Sequence, residues 1–336
     1  MEQSTHMRVA VYYNNNDIRI EERPIPKIGP GEILVKVMAS GICGSDVLEW
    51  HRVKKGPRVL GHEITGVVAD VGEGVKGHLL GARVFVSHHV PCNTCKYCKA
   101  GNHTACAVLH EGNYDPGGFS EFIRVPKINV ENGIYVLPGN ISFEKGTMLE
   151  PLACVLRGQK IADIEKGQTV LILGSGVSGL LHAQLAKIKL ARVIVTDVND
   201  YRLKIAEELG ADEVVHVKAA DENLNIKADR IIVCTSAPQA VQQAFNSIDR
   251  KGAILFFAVP NRSIEIPTAD FWRNEITITS SYGAAPRDLD ASLSILNGEY
   301  IKVKSLITHM LPLEEIQKGF QIAAEAKESL KVVLKP

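Results

Sequence analysis

Thr169-Val170-Leu171-Ile172-Leu173 runs without a polar break into Gly174-Ser175-Gly176-Val177-Ser178-Gly179, and Leu180 to Ile188 then follows a helical pattern. A strand that is apolar throughout is covered on both faces, as in a parallel sheet wrapped by helices. The three glycines have separate tasks. The first permits a tight turn, the second lets the backbone approach a pyrophosphate, and the third lets helix and strand pack closely. An anion in that turn meets the unpaired amides and positive dipole end of a helix N-terminus. Gly174, Gly176, Val177, Ser178 and Gly179 are therefore candidate contacts to a dinucleotide. The same strand type recurs at Val193-Ile-Val-Thr196, Arg230-Ile-Ile-Val233 and Ala253-Ile-Leu-Phe-Phe257, with helical patterns between. Residues 157–286 are read as a doubly wound α/β domain.

Asp197 ends the next strand, about twenty residues after the glycines, where a carboxylate can bond ribose hydroxyls. Its charge would repel a ribose phosphate, so NAD is expected rather than NADP. Arg202, one helical turn on, keeps NADP as the second choice.

The first half of the chain has another rhythm. Arg8-Val-Ala-Val-Tyr-Tyr13, Glu32-Ile-Leu-Val-Lys-Val37 and Ile64-Thr-Gly-Val-Val68 are short alternating segments broken by Gly and Pro, which points to an all-β, barrel-like domain. It is taken to span 7–156 and 287–336. Leu313 to Ala324 is helical by periodicity, and Leu330-Lys-Val-Val-Leu334 reads as a strand returning to the first domain.

Length and charge limit the partners. A chain of 336 residues is long enough for two cores, and Lys plus Arg equals Asp plus Glu at 38 each, so no excess field recruits nucleic acid or anionic lipid. A small-molecule ligand is expected. No apolar run of about eighteen residues suits a membrane span, and no signal pattern opens the chain, so a cytoplasmic protein with reduced thiols is expected.

Four of the seven cysteines fall in Cys92-Asn-Thr-Cys95-Lys-Tyr-Cys98 and at Cys106. Four thiolates at such spacing close a tetrahedral shell around one zinc ion and leave no open position, so this site is structural. That leaves Cys43, Cys154 and Cys234 for chemistry. Gly41-Ile-Cys43-Gly-Ser45-Asp46 and Gly61-His62-Glu63 each hold one good zinc ligand and a carboxylate able to orient an imidazole or approach a metal. His51, His88, His89, His103 and His110 read as surface or hydrogen-bonding histidines, Cys234 as core, and Phe119 as a buried aromatic.

Together, these stretches resemble the zinc-dependent medium-chain alcohol dehydrogenase family over essentially the whole chain. Gly61-His62-Glu63-Ile-Thr-Gly66 and Leu149-Glu150-Pro151-Leu152-Ala-Cys154 are most similar to its polyol and threonine dehydrogenase branch. The resemblance implies a GroES-like β domain, interrupted by a Rossmann domain. It implies two zinc ions per chain: a catalytic one at Cys43 and His62, and a structural one at Cys92, Cys95, Cys98 and Cys106. It favours Glu150 over Cys154 as third catalytic ligand, with Glu63 as an exchangeable fourth. Ser45 would pass a proton outward and Asp46 would orient His62. Leu48 stands where many relatives carry a relay histidine. The basic stretch carrying His51, Arg52, Lys54, Lys55 and Arg58 reads as a solvated loop or as the border of a pocket for an anionic substrate.

The expected reaction is hydride transfer from a secondary, polyol-like alcohol to NAD+, giving the ketone. Alternatives are threonine 3-dehydrogenation, oxidation of a cyclitol or phosphorylated sugar alcohol, and, from other classes, a non-catalytic NAD-binding zinc protein, a zinc-free reductase or a nucleic-acid zinc ribbon. Similar proteins form homodimers or homotetramers.

Overall fold

A computed structural model of the chain describes residues 5–77, 79–111, 113–218 and 223–336. The described residues form two compact units: those up to 151 with 284–336, and those between 152 and 283. The cuts fall a few residues before the joins read from the sequence, because the helix Leu149–Ile161 runs through the first of them.

In the second unit six strands form one sheet in the spatial order Glu213–His216, Arg192–Asp197, Thr169–Leu173, Ala228–Val233, Ile248–Phe256 and Thr277–Ser280. Every pairing is parallel. Numbered along the unit, this order is 3-2-1-4-5-6, the doubly wound arrangement that binds dinucleotides where the strand order reverses. The apolar strands are buried on both faces: Val170, Leu171 and Ile172 have no exposed surface. The helix Val177–Ile188 starts within the glycine turn. Gly179 lies so near the strand end that a Cβ there would stand 2.0 Å from the Gly174 carbonyl oxygen, so only glycine lets the turn close.

The first unit holds a seven-stranded sheet and a three-stranded one. Its central strand, Ile33–Ile42, alternates buried and outward residues as far as Ala39 and is then buried continuously. The change occurs where the C-terminal strand Lys331–Lys335 pairs with it, Val332 opposite Ile42 and Leu334 opposite Ser40. The segment read as a returning strand does return. The helical segment before it begins with a 3-10 turn, Leu313–Glu315, and continues as the helix Ile316–Glu325. Its Phe320 packs against Tyr12 and Phe119 at 5.7 and 5.9 Å between ring centres, so Phe119 is a core residue as expected.

Candidate metal centres and cofactor turn

The four cysteines of the thiol lobe converge, their sulfurs within 4.8 Å of one another. Cys95 and Cys98 Sγ are 3.5 Å apart, and Cys92 and Cys98 Sγ 4.0 Å. A tetrahedron with zinc–sulfur bonds of about 2.3 Å requires sulfurs about 3.8 Å apart, so the cage has the right size. Amide donors support the thiolate form: Cys95 N–H donates to Cys92 Sγ at 3.3 Å and Cys92 N–H to Cys106 Sγ at 3.4 Å. The Thr94 hydroxyl and the neighbouring amides pull the Cys92 thiol down to about 5.

The second group forms where two antiparallel strands end together. Ile33–Ile42 delivers Cys43, and Glu63–Val71 begins with Glu63, whose Cα partner is Gly41. A Cβ on Gly41 would strike Glu63 Oε2 at 2.1 Å; glycine there lets the carboxylate lie across the strand. Cys43, His62 and Glu63 bring one ligand atom each within 4.8 Å of the others. Glu150 lies outside that trio, buried in the first turn of Leu149–Ile161, yet its charge acts on Lys331 and Tyr114 beside it. Cys154 follows one turn later in the same helix.

His62 Nδ1 faces Asp46 Oδ1 at 3.6 Å, which leaves Nε2 for a metal, the division of labour usual for ligand imidazoles. Burial opposes a charge on His62, but Asp46 and Cys43 raise its pKa well above 6.5. Burial likewise works against ionised Asp46, and the charges of His62 and Arg52 together with the Cys43 amide hold it low. Such a negative field also favours a divalent cation. Thiolate, imidazole and carboxylate donors in this arrangement fit zinc.

Of three surrounding side chains, Lys331 escaped the sequence reading, and Arg52 and His88 were read there in other roles. Lys331 Nζ, 3% exposed, donates to both oxygens of fully buried Glu63 at 2.6 and 2.7 Å and to the Ile42 carbonyl at 3.2 Å. Its one signal in the sequence is a lone charge within Leu330-Lys-Val-Val-Leu334. Arg52 reaches back seven residues to Ser45: its Nη2 donates to Ser45 Oγ at 2.8 Å and to Asp46 Oδ1 at 3.1 Å. Ser45 Oγ in turn lies 3.4 Å from Cys43 Sγ, so its hydroxyl accepts from Arg52 and donates to the thiol. The charge of Arg52 is thus spent inside the site, and Lys54 stands over the Trp50 ring at 5.6 Å. The third residue is His88. It is 9% exposed with no hydrogen bond at buried Nδ1, its ring centre 4.9 Å from that of His62 and 3.6 Å from that of His89. The expectation of a surface or bonded histidine fails here because the chain after strand Arg83–Val86 carries residue 88 inward against His62. Burial, then His89, His62 and Arg52, depress its pKa well below 6.5.

In the second unit the turn and the acidic residue are tied together. Asp197 Oδ2 accepts from Ser175 N at 2.6 Å and Ser175 Oγ at 2.9 Å, and Oδ1 accepts from Asn199 N at 3.0 Å. Ser175 was not singled out in the sequence, although it is the residue between the two glycines. Arg202 overhangs the turn, with Nη1 3.8 Å from where a Gly176 Cβ would stand.

Two family profiles match the chain: the alcohol dehydrogenase GroES-like domain over residues 29–132 and the zinc-binding dehydrogenase domain over residues 178–297. A sorbitol dehydrogenase from Halalkalibacterium halodurans is 30% identical, with 98% of both chains covered. The chain belongs to the zinc-dependent medium-chain alcohol dehydrogenases. Within that family a probable D-xylulose reductase A from Aspergillus fumigatus is 31% identical over 91% of this chain and 90% of the relative. Among solved structures, an Escherichia coli protein described as a short chain alcohol dehydrogenase, complexed with NADH, is 30% identical with a TM-score of 0.89, covering 99% and 100% of the two chains. A 2R,3R-butanediol dehydrogenase from Bacillus subtilis gives 27% and 0.85, covering 98% and 99%. The fold is accordingly a GroES-like unit with a Rossmann unit, and the protein is a zinc- and NAD-dependent alcohol or polyol dehydrogenase acting on a small molecule. No helix among the described residues is long and apolar enough to cross a membrane.

Asp197 anchors the turn, and on the expectation that it also binds the ribose, Asp197→Ala should raise the KM for NAD by about 10- to 100-fold, the loss of a hydrogen bond to a charged group. The ratio of NADP to NAD use should rise in parallel. An unchanged KM would show that the carboxylate serves only Ser175 and Asn199.

Proposed function

We propose that the enzyme oxidises a secondary hydroxyl of a neutral polyol to the ketone, with Cys43, His62 and Glu150 holding the catalytic zinc and Glu63 exchanging as a fourth ligand. The observation that carries this reading is the convergence of Cys43, His62 and buried Glu63, with Asp46 facing the imidazole. The names of the relatives, sorbitol dehydrogenase, D-xylulose reductase and 2R,3R-butanediol dehydrogenase, support the polyol class.

Bound zinc supplies Lewis acidity to the substrate hydroxyl, and NAD accepts the hydride. The chain does the rest. Asp46 holds the His62 tautomer; Lys331 restrains Glu63 through both of its oxygens; Ser45, bonded to Arg52 and Cys43, is a hydrogen-bonding way-station for the proton, a role left open by Leu48. Gly174, Gly176, Val177, Ser178 and Gly179 carry the pyrophosphate, and Asp197 the ribose, with Arg202 alongside. The thiol lobe holds the second, structural zinc. We further infer a cytoplasmic homodimer or homotetramer.

Metal analysis and an NAD-reduction screen over sugar alcohols, vicinal diols, cyclitols and threonine test this together. Wild type is expected to hold two zinc ions per chain and to reduce NAD with a polyol. Cys43→Ser is expected to lose one zinc and the turnover, whereas Cys95→Ser should lose the other zinc and stability. Turnover that survives Cys43→Ser would place the reaction elsewhere.

A further inference from the structure

His88 is held in place by its backbone. Ser87 N–H donates to the Gly133 carbonyl at 2.8 Å, buried Asn129 donates to the Ser87 carbonyl at 2.9 Å, and the Ser87 hydroxyl donates to the His89 carbonyl at 3.0 Å. Among the described residues the buried Nδ1 of His88 has no hydrogen-bond partner. Buried polar atoms are nearly always paired, and an exception beside a reactive centre calls for a ligand. The ring stands against His62, a proposed metal ligand, with centres 4.9 Å apart at 51°, which makes His88 a neighbour of the proposed reaction centre. A neutral imidazole offers one donor and one acceptor, the complement of a hydroxyl and a poor match for phosphate or carboxylate. Arg52, the cation whose charge acts on His88, is already paired with Asp46 and Ser45.

We propose that His88 is a specificity-determining residue that hydrogen-bonds the hydroxyl next to the carbon being oxidised, so that neutral vicinal polyols are preferred to simple secondary alcohols. The proposal rests on the dehydrogenase reading above and names the substrate class for that site.

The test uses the full-length zinc-loaded enzyme and two substrates that differ by one hydroxyl, 2,3-butanediol and 2-butanol. His88→Phe keeps a ring of similar size without the nitrogens, and His88→Asn restores an amide able to donate and accept. In His88→Phe, kcat/KM for the diol should fall by about tenfold or more while that for 2-butanol stays within about twofold, the signature of one lost hydrogen bond. His88→Asn should recover much of the diol rate. Fluorescence titration of the NADH-bound enzyme with the diol should show a matching rise in dissociation constant, at unchanged zinc content. Equal losses on both substrates, no loss on either, or a wild type that prefers a phosphorylated polyol to the free one would each overturn the proposal. A wild type inactive on both alcohols and on every polyol would instead sink the dehydrogenase reading itself, so the two failures are distinguishable.

Discussion

Replacing Lys331 with methionine is expected to destabilise the first unit by about 3–5 kcal/mol, the usual result of removing one member of a buried ion pair. Glu63 has no exposed surface, and Lys331 Nζ approaches both of its oxygens. Without the ammonium, a carboxylate would be left in a low-dielectric interior with Cys43 and Glu150 adding negative charge nearby. The double variant Glu63→Gln/Lys331→Met removes both charges and should recover more than half of the loss. Urea unfolding followed by circular dichroism measures all three proteins. A Lys331→Met protein within about 1 kcal/mol of wild type would mean that another group neutralises Glu63.

The second large effect concerns acid stability of the Rossmann unit. His182, on the helix Val177–Ile188, has no exposed surface, and neither ring nitrogen has a hydrogen-bond partner. Its ring meets the edge of Phe257 at 4.7 Å. Burial, with a smaller contribution from Lys189, lowers its pKa from 6.5 to about 3. The unfolded chain therefore binds a proton that the folded one refuses. The stability at stake is complete above pH 6.5 and is lost as pH falls from there toward 3, at up to 1.36 kcal/mol per pH unit, about 4–5 kcal/mol in all. His182→Leu should flatten this limb, and the difference between the two proteins removes the contribution of the carboxylates. Urea midpoints of wild type and variant that run parallel from pH 7.5 to 4.5 would show that His182 is protonated or hydrated in the folded state.

Much of the fold could be read from local pattern. Thr169–Leu173 is a strand from end to end as expected, because an apolar run between a turn and three glycines has few other uses. The thiol lobe was equally plain, since its four ligands lie within fifteen residues and their spacing is itself the geometry. The Cys43, His62 and Glu63 group was a weak signal by residue type alone, raised by Asp46 and Glu63 beside the two ligands, and its expected role came with the family resemblance. The basic loop was misleading in isolation: Arg52 looks like a solvated cation in sequence, yet it is 16% exposed and bonded to Ser45 and Asp46.

The sequence by itself determined the two units, the dinucleotide turn and the sulfur cage, because each is encoded by short-range spacing or pattern, and its family resemblance carried the type of reaction. Only the tertiary structure decided which charges meet. Glu63 and Lys331 are 268 residues apart, and they pair because the C-terminal strand docks beside Ile33–Ile42. His88 was likewise placed against His62 by the packing of separate strands. Desolvation and long-range pairing depend on what surrounds a side chain in space, and the linear order of residues does not record it.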